Sequence, residues 1–229
     1  MRGYPNNECP SLIINYNIYM CWSFEVSLGT LIFSTLCSLY LYTRNEPNDR
    51  LYAIYVFAIG LMQGADAFAW YSIDNSIPSL NKFSAILSRI LIGLQIPMIY
   101  WYLYKSTGNS IYSNVVIANI VYFFYIGYLI WNEYDSFKIT VKPTCKNECH
   151  LEWSWLYKMS EPKYWIIFIT YSFFIVYPFL LLKDRRKYLF ILISALTLMY
   201  SLYKFSDTHI WGSYWCSMIN LWAIVAVFY

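Results

Sequence analysis

The chain has 229 residues, 59% of them hydrophobic, 22% aromatic and 13% charged, with a formal net charge of +3. Soluble domains carry about 25% charged residues, so a water-soluble monomer of this length could not hide so much apolar surface. The sequence holds no motif that reads RNA or DNA, and no nucleic-acid partner is expected.

A helix needs about 20 predominantly apolar residues to cross about 30 Å of hydrocarbon. Seven stretches qualify: residues 20–43, 51–73, 83–104, 111–131, 165–182, 188–206 and 210–229. They are too long and too continuous for the alternating segments of a membrane barrel, and backbone groups in lipid must then be satisfied within helices. The predicted fold is an all-α, polytopic bundle of seven transmembrane helices forming a single domain, with the lipid bilayer as its main partner. The join Ser206-Asp207-Thr208-His209 is so short that the last two spans must form a tight hairpin; six helices with a re-entrant segment is the alternative.

Orientation follows from the basic residues. The short connectors 44–50, 105–110 and 183–187 hold Arg44, Arg50, Lys105, Lys183, Arg185, Arg186 and Lys187, seven of the 16 Lys and Arg. Such loops face the cytoplasm, which predicts an outer N-terminus and a cytoplasmic C-terminus. The first span lacks a small-residue cleavage pattern, so it is expected to stay as a signal anchor, and no docking tail is expected after Tyr229.

In the first span Ser23, Ser27, Thr30, Ser34 and Ser38 share one stripe. The third carries Ser84, Ser88, Gln95 and Tyr102, the sixth Ser194, Thr197, Ser201 and Lys204, and the seventh Ser213, Cys216, Ser217 and Asn220. Small hydroxyl residues of this kind are common glue between membrane helices, as is Gly60-x-x-x-Gly64 in the second span. Trp211, Trp215 and Trp222 lie opposite the seventh stripe and are expected to meet lipid or headgroups.

The connector 132–164 is the largest extramembrane piece. Its Trp153, Trp155, Tyr157 and Tyr164 read either as interfacial anchors or as a cap over a cavity open to the outer side. Cys9, Cys145 and Cys149 fall on the oxidising side, where a disulfide between two of them is expected. Cys145-x-x-x-Cys149-His150 has half the ligands of a zinc site, and with two histidines in the chain neither a metal nor another cofactor is expected. No Asn-x-Ser/Thr sequon is present. Lys204, Asp207 and His209 form an interfacial group or rim the mouth of the same cavity.

Three ionisable residues fall at membrane depth: Glu25, Asp66 and Arg89. Counting 1.5 Å per residue puts all three at one level in the outer half. Charges there are costly and find partners, so Arg89 is expected to pair with Asp66, with Glu25 close by, and with Gln63, Trp70 and Asn220 completing a polar binding site. The leading functional expectation is binding or transport of a small solute, ion or proton through this cluster. A structural or interaction role, with the charges fixing helix register, is the second. An intramembrane enzyme using Glu25 and Asp66 as acid and base is the third, but no nucleophile with an adjacent base stands out.

Known seven-helix chemistries fit poorly. A retinal protein needs a lysine in its last helix, and 210–229 has none, which leaves only Lys204 as a substitute. G-protein-coupled receptors usually carry a cysteine at the outer end of the third helix and an Asn-Pro-x-x-Tyr run in the seventh, and both are absent. Ceramidase-like zinc hydrolases need three histidines, one more than His150 and His209 provide.

Met62-Gln63-x-x-Asp66-x-x-x-Trp70, Gln95-x-Pro97 after Asn81, and Gly212-Ser213-x-Trp215-Cys216 together resemble a family of uncharacterised multi-pass membrane proteins of large DNA viruses. The resemblance covers about a third of the chain. It implies a membrane location during infection, in a host endomembrane or the virion, and no particular activity.

Overall fold

A computed structural model describes residues 23–132, 134–143, 149–218 and 220–228. It contains seven helical spans long and apolar enough to cross a membrane, and the chain is a multi-pass membrane protein by that measure. The helices are α1 (Phe24–Arg44), α2 (Asp49–Asp74), α3 (Pro78–Thr107), α4 (Ser110–Asn132), α5 (Lys163–Leu181) and α6 (Arg186–Phe205), followed by two helical pieces of the last span, α7 (Trp211–Met218) and α8 (Leu221–Phe228). Each expected span is found within a few residues of its predicted limits. The chain turns from α6 to α7 over Ser206 to Ile210, with Thr208 N–H donating to Phe205 O and Tyr214 N–H to Ile210 O.

Local chemistry sets the ends. Ser23 caps α1, its hydroxyl accepting from Val26 N–H, and Asn45 closes it with φ 53°. Pro78 opens α3, where a missing N–H costs no intrahelical bond, and Gly108 ends it at φ 69°. In α5 the ring of Pro178 deprives Phe174 O of its usual donor. Tyr100 Oη supplies the replacement at 3.1 Å, so α3 and α5 are tied at the point where the helix ladder is broken.

α1 and α2 form an antiparallel pair of unusually close approach. A Cβ built on Gly60 would lie 2.1 Å from Ser34 Oγ, and Ser38 Oγ donates to Ala53 O at 2.8 Å. The first serine stripe and the glycine motif therefore serve packing. α2 is the most enclosed helix, touching α1, α3, α7 and α8, whereas α4 leans on α3 and shows its aromatic residues outward. Below the middle of α2, Tyr52, Tyr55, Phe179, Phe190 and Trp222 form one aromatic knot that joins α2, α5, α6 and α8.

The tryptophans of the last span correct the expectation of a lipid-facing row. Trp211, Trp215 and Trp222 are all buried. Trp211 Nε1 donates to Tyr157 O at 2.9 Å and Trp215 Nε1 to Thr197 Oγ1 at 3.2 Å. The reason is position: the last span sits among α1, α2, α6 and the segment between α4 and α5, which cover the tryptophan side and leave Leu221, Ile224 and Phe228 exposed instead.

That segment is the second departure. After a short 3-10 turn at Tyr134–Ser136 it forms an antiparallel hairpin, β1 (Ile139–Pro143) with β2 (Cys149–Trp153), in which Ile139 pairs with Trp153 and Val141 with Leu151. Ile139, Leu151 and Trp153 point into the helix ends and are buried, while Thr140 and Glu152 bond to each other on the opposite face. Trp153, expected as a possible interfacial anchor, is fully enclosed. The hairpin packs on the ends of α3 and α7 and does not stand apart from the bundle.

Candidate binding site

The hairpin is seated by polar groups from four parts of the chain. Asn81 holds the edge of β1 with both amide atoms, Nδ2 donating to Ile139 O and Oδ1 accepting from Ile139 N–H, each at 2.9 Å. Ser213 Oγ donates to Leu151 O at 2.6 Å. Trp153 Nε1 donates to Asp66 Oδ1 at 3.3 Å, and Met159 N–H to Ser206 O at 2.9 Å. Gly212 leaves room for the strap after β2, since a Cβ there would sit 2.7 Å from Leu156 Cδ2.

This seating breaks up the expected charge cluster. Trp153 and Trp155 stack with their centroids 5.3 Å apart and their planes 14° from parallel. Asp66 lies on the Trp153 side of that pair. Arg89 lies on the Trp155 side, its guanidinium 5.1 Å from the Trp155 centroid and its Nη1 donating to Trp155 O at 3.3 Å. Trp155 itself donates to Ser88 Oγ at 3.0 Å. The predicted Arg89–Asp66 ion pair is therefore not formed: Asp66 takes its hydrogen bond from Trp153, and Arg89 lies over the Trp155 ring and donates to its carbonyl.

Glu25 is a further correction. It occupies the first turn of α1, exposed, and accepts from Ser23 Oγ at 2.7 Å. An acidic group there is favoured by the amide end of the helix and needs no buried cation.

The other predicted residues share a different property. Gln63, Asp66 and Trp70 line one face of α2 and are buried. Neither amide atom of Gln63 has a hydrogen-bond partner among the described residues, nor do Trp70 Nε1, Asn220 Oδ1 or Arg89 Nε. Asn220 spends its Nδ2 on Cys216 O at 2.8 Å, one turn back. Buried polar groups are overwhelmingly paired in folded proteins, so this concentration marks a place where polar chemistry is held in reserve.

A small pocket of about 10 Å3 opens between Asp66, Trp70, Ser27, Ser213 and Ser217, room for about one water-sized occupant. Gln63 lies one helical turn deeper on α2, and Asn220 about a turn beyond Ser217. Asp66 meets no cation among the described residues, and its carboxylate has the Trp153 indole as its hydrogen-bond donor.

A larger cavity of about 110 Å3 lies on the other side of the indole pair, between α3, α4, α5, α7 and the strap after β2, and Arg89 is the charged residue in its wall. Tyr171 and Cys216 close its floor, and Tyr171 Oη donates to Gln95 Oε1 on α3.

At the opposite end of the bundle the structure shows an ionic knot that sequence reasoning missed. Asp49, fully enclosed, receives Arg44 at 2.6 Å and Arg186 at 2.6 Å. Arg186 also meets Asp184 at 2.7 Å, donates to Pro47 O at 2.7 Å and lies 4.5 Å over the Tyr52 ring. Arg44 Nη1 donates to Val227 O at 2.9 Å near the end of α8.

Lys204 projects toward the rings of Phe205 and Tyr214 and is exposed. His209 O accepts from Trp153 N–H at 3.4 Å. Cys9, Cys145 and the side chain of Cys149 lie outside the described residues, so the expected disulfide does too. Cys37 and Cys216 are free thiols, and no group of three or more His, Cys, Asp or Glu side chains gathers in metal-binding geometry among the described residues. The chain matches no protein-family model, no curated protein and no solved structure.

Proposed function

We propose that the protein takes up a proton or one small cation at Asp66 and hands it along the polar seam toward Gln63 and Asn220. The observation that carries this reading is a buried carboxyl without a counter-cation, next to a one-water pocket and followed inward by the amide oxygens of Gln63 and Asn220, which have no partner among the described residues. An ionised carboxylate at membrane depth is costly unless something neutralises it, and a proton or a coordinated cation does so. The pocket is too small for an organic solute. Gln63 and Asn220 supply the next acceptors at helical spacing, as a stepwise path requires.

We also propose that the hairpin faces outward and the basic connectors face the cytoplasm. Seven of the Lys and Arg residues lie at the end away from the hairpin, which supports this orientation.

The test is flux in proteoliposomes loaded with a pH-sensitive or sodium-sensitive dye. Asp66→Asn keeps an oxygen for the Trp153 indole, so the fold is retained while the titrating and cation-holding group is lost. Wild-type flux that is abolished in Asp66→Asn supports the proposal; equal flux in both, or none in the wild type, overturns it.

A second reading has one observation in its favour, the Trp153 indole on Asp66. In that reading the carboxyl braces the hairpin, and the protein acts as a structural or interaction component. The viral affiliation is also proposed, on the three motifs alone, and absence of the protein from the membranes of infected cells would remove it.

A further inference from the structure

We propose that the cavity beside Arg89 binds the headgroup of an anionic amphiphile, a carboxylate or phosphate carried on an acyl chain, which enters sideways from the membrane between α4 and α5. Arg89 is 8% exposed, has no carboxylate partner among the described residues, and leaves its Nε without an acceptor. A guanidinium presents a fixed fork of donors matched to carboxylate and phosphate oxygens. The Trp155 and Tyr157 rings hold it from one side at 5.1 and 6.0 Å, which orients the fork without neutralising it.

The rest of the wall selects what carries the anion. Ile92, Leu156, Phe168 and Trp211 present apolar surface, with Leu156 and Trp211 buried, which suits a hydrocarbon. About 110 Å3 is less than the roughly 150 Å3 of a cavity that holds benzene, so a headgroup and the first few carbons fill it. The remainder of the chain has a way out. Tyr122 on α4 and Ile167 on α5 both line the cavity and are 42% and 48% exposed on the outer surface of the bundle, so the opening is toward lipid. Ordinary membrane lipids and free fatty acids share this chemistry and are separated by experiment.

The cavity is lined by none of Gln63, Asp66 and Asn220, and its test does not depend on transport. Purified protein in neutral detergent is irradiated with diazirine-bearing palmitate, phosphatidic acid or hexadecanol, and labelled peptides are mapped. One acidic probe is expected to label α5 near Ile167 and Phe168, with Arg89→Gln reducing labelling by about tenfold, the effect of losing one charge-assisted contact. Arg89→Lys is expected to restore part of it, and Asp66→Asn to leave it intact. Ile167→Trp narrows the mouth without touching Arg89 and is expected to abolish labelling. Palmitate labelling assigns a free fatty acid, and phosphatidic acid labelling a membrane lipid. Labelling by hexadecanol equal to that by the acids, labelling unaltered in Arg89→Gln, or no acidic probe at this site would overturn the proposal.

Discussion

Asp49 and Arg186, 137 residues apart in sequence, meet at 2.6 Å in a setting where the carboxylate has no exposed surface. Arg44 completes the arrangement from the end of α1, so one aspartate holds α1, α2, α6 and the end of α8 at a single point. Removing one member of a buried ion group leaves an uncompensated charge, which typically costs about 3 to 5 kcal/mol. Asp49→Ala is therefore expected to destabilise the bundle by that order, read as a lower midpoint of unfolding in detergent. Arg44→Gln, at the more exposed edge of the knot, is expected to cost less. An unchanged midpoint for Asp49→Ala would show that the knot is dispensable.

Gly60 and Gly64 look equivalent in sequence and are not equivalent in the fold. A Cβ on Gly60 meets Ser34 Oγ at 2.1 Å and Ser34 Cβ at 2.8 Å, whereas one on Gly64 meets only the end of Leu31 at 3.4 Å. Gly60→Ala should destabilise by about 1 to 3 kcal/mol through overpacking, and Gly64→Ala should be close to neutral. Equal effects of the two substitutions, measured by the same unfolding titration, would contradict the close contact described for α1 and α2.

Gly212 controls how the strap after β2 seats. Gly212→Ala pushes against Leu156 Cδ2 at 2.7 Å and is expected to loosen the hairpin, seen as faster proteolysis within residues 139–160 in reconstituted vesicles. Because the obstacle is the end of a side chain, Leu156→Ala in the same chain is expected to restore protection. Failure of that rescue would point to a backbone cause instead.

The bond from Trp153 to Asp66 is open to a double-mutant cycle. Trp153→Phe keeps the ring stacked on Trp155 and removes the donor, and a hydrogen bond of this kind contributes about 0.5 to 1.5 kcal/mol. Combined with Asp66→Leu, the two losses should be less than additive by a similar amount. Strict additivity would mean the indole and the carboxyl do not act on each other.

The seven spans are legible in the sequence because each is a predominantly apolar run of the length a bilayer demands, and the turn after α6 because a four-residue join favours a tight hairpin over a re-entrant segment. The pairing of charges is not legible. Glu25, Asp66 and Arg89 do fall toward one end of the bundle, but depth says nothing about azimuth, and the indoles that engage Asp66 and Arg89 arrive from a segment about 65 to 85 residues later. Arg44 and Arg186 read in the sequence as markers of sidedness, and nothing there singles out Asp49; their convergence depends on helices distant in sequence. The hairpin left a fainter signal, Ile139-Thr140-Val141 against Leu151-Glu152-Trp153, whose alternation is a strand pattern overshadowed by the interfacial habits of tryptophan. Gln63 and Trp70 on α2 and Asn220 between α7 and α8 are buried, a burial that helical periodicity makes legible where it sets polar residues opposite a lipid face.

The seats of the hairpin are synthesised at different times. Asp66 and Asn81 leave the ribosome well before Trp153, but Ser206 and Ser213 follow it by about 50 to 60 residues. Until the last span is made, the hairpin therefore lacks two of its four anchoring points. A chain cut before Ser206 should leave Trp153 and Trp155 open to quenchers that cannot reach them in the complete fold.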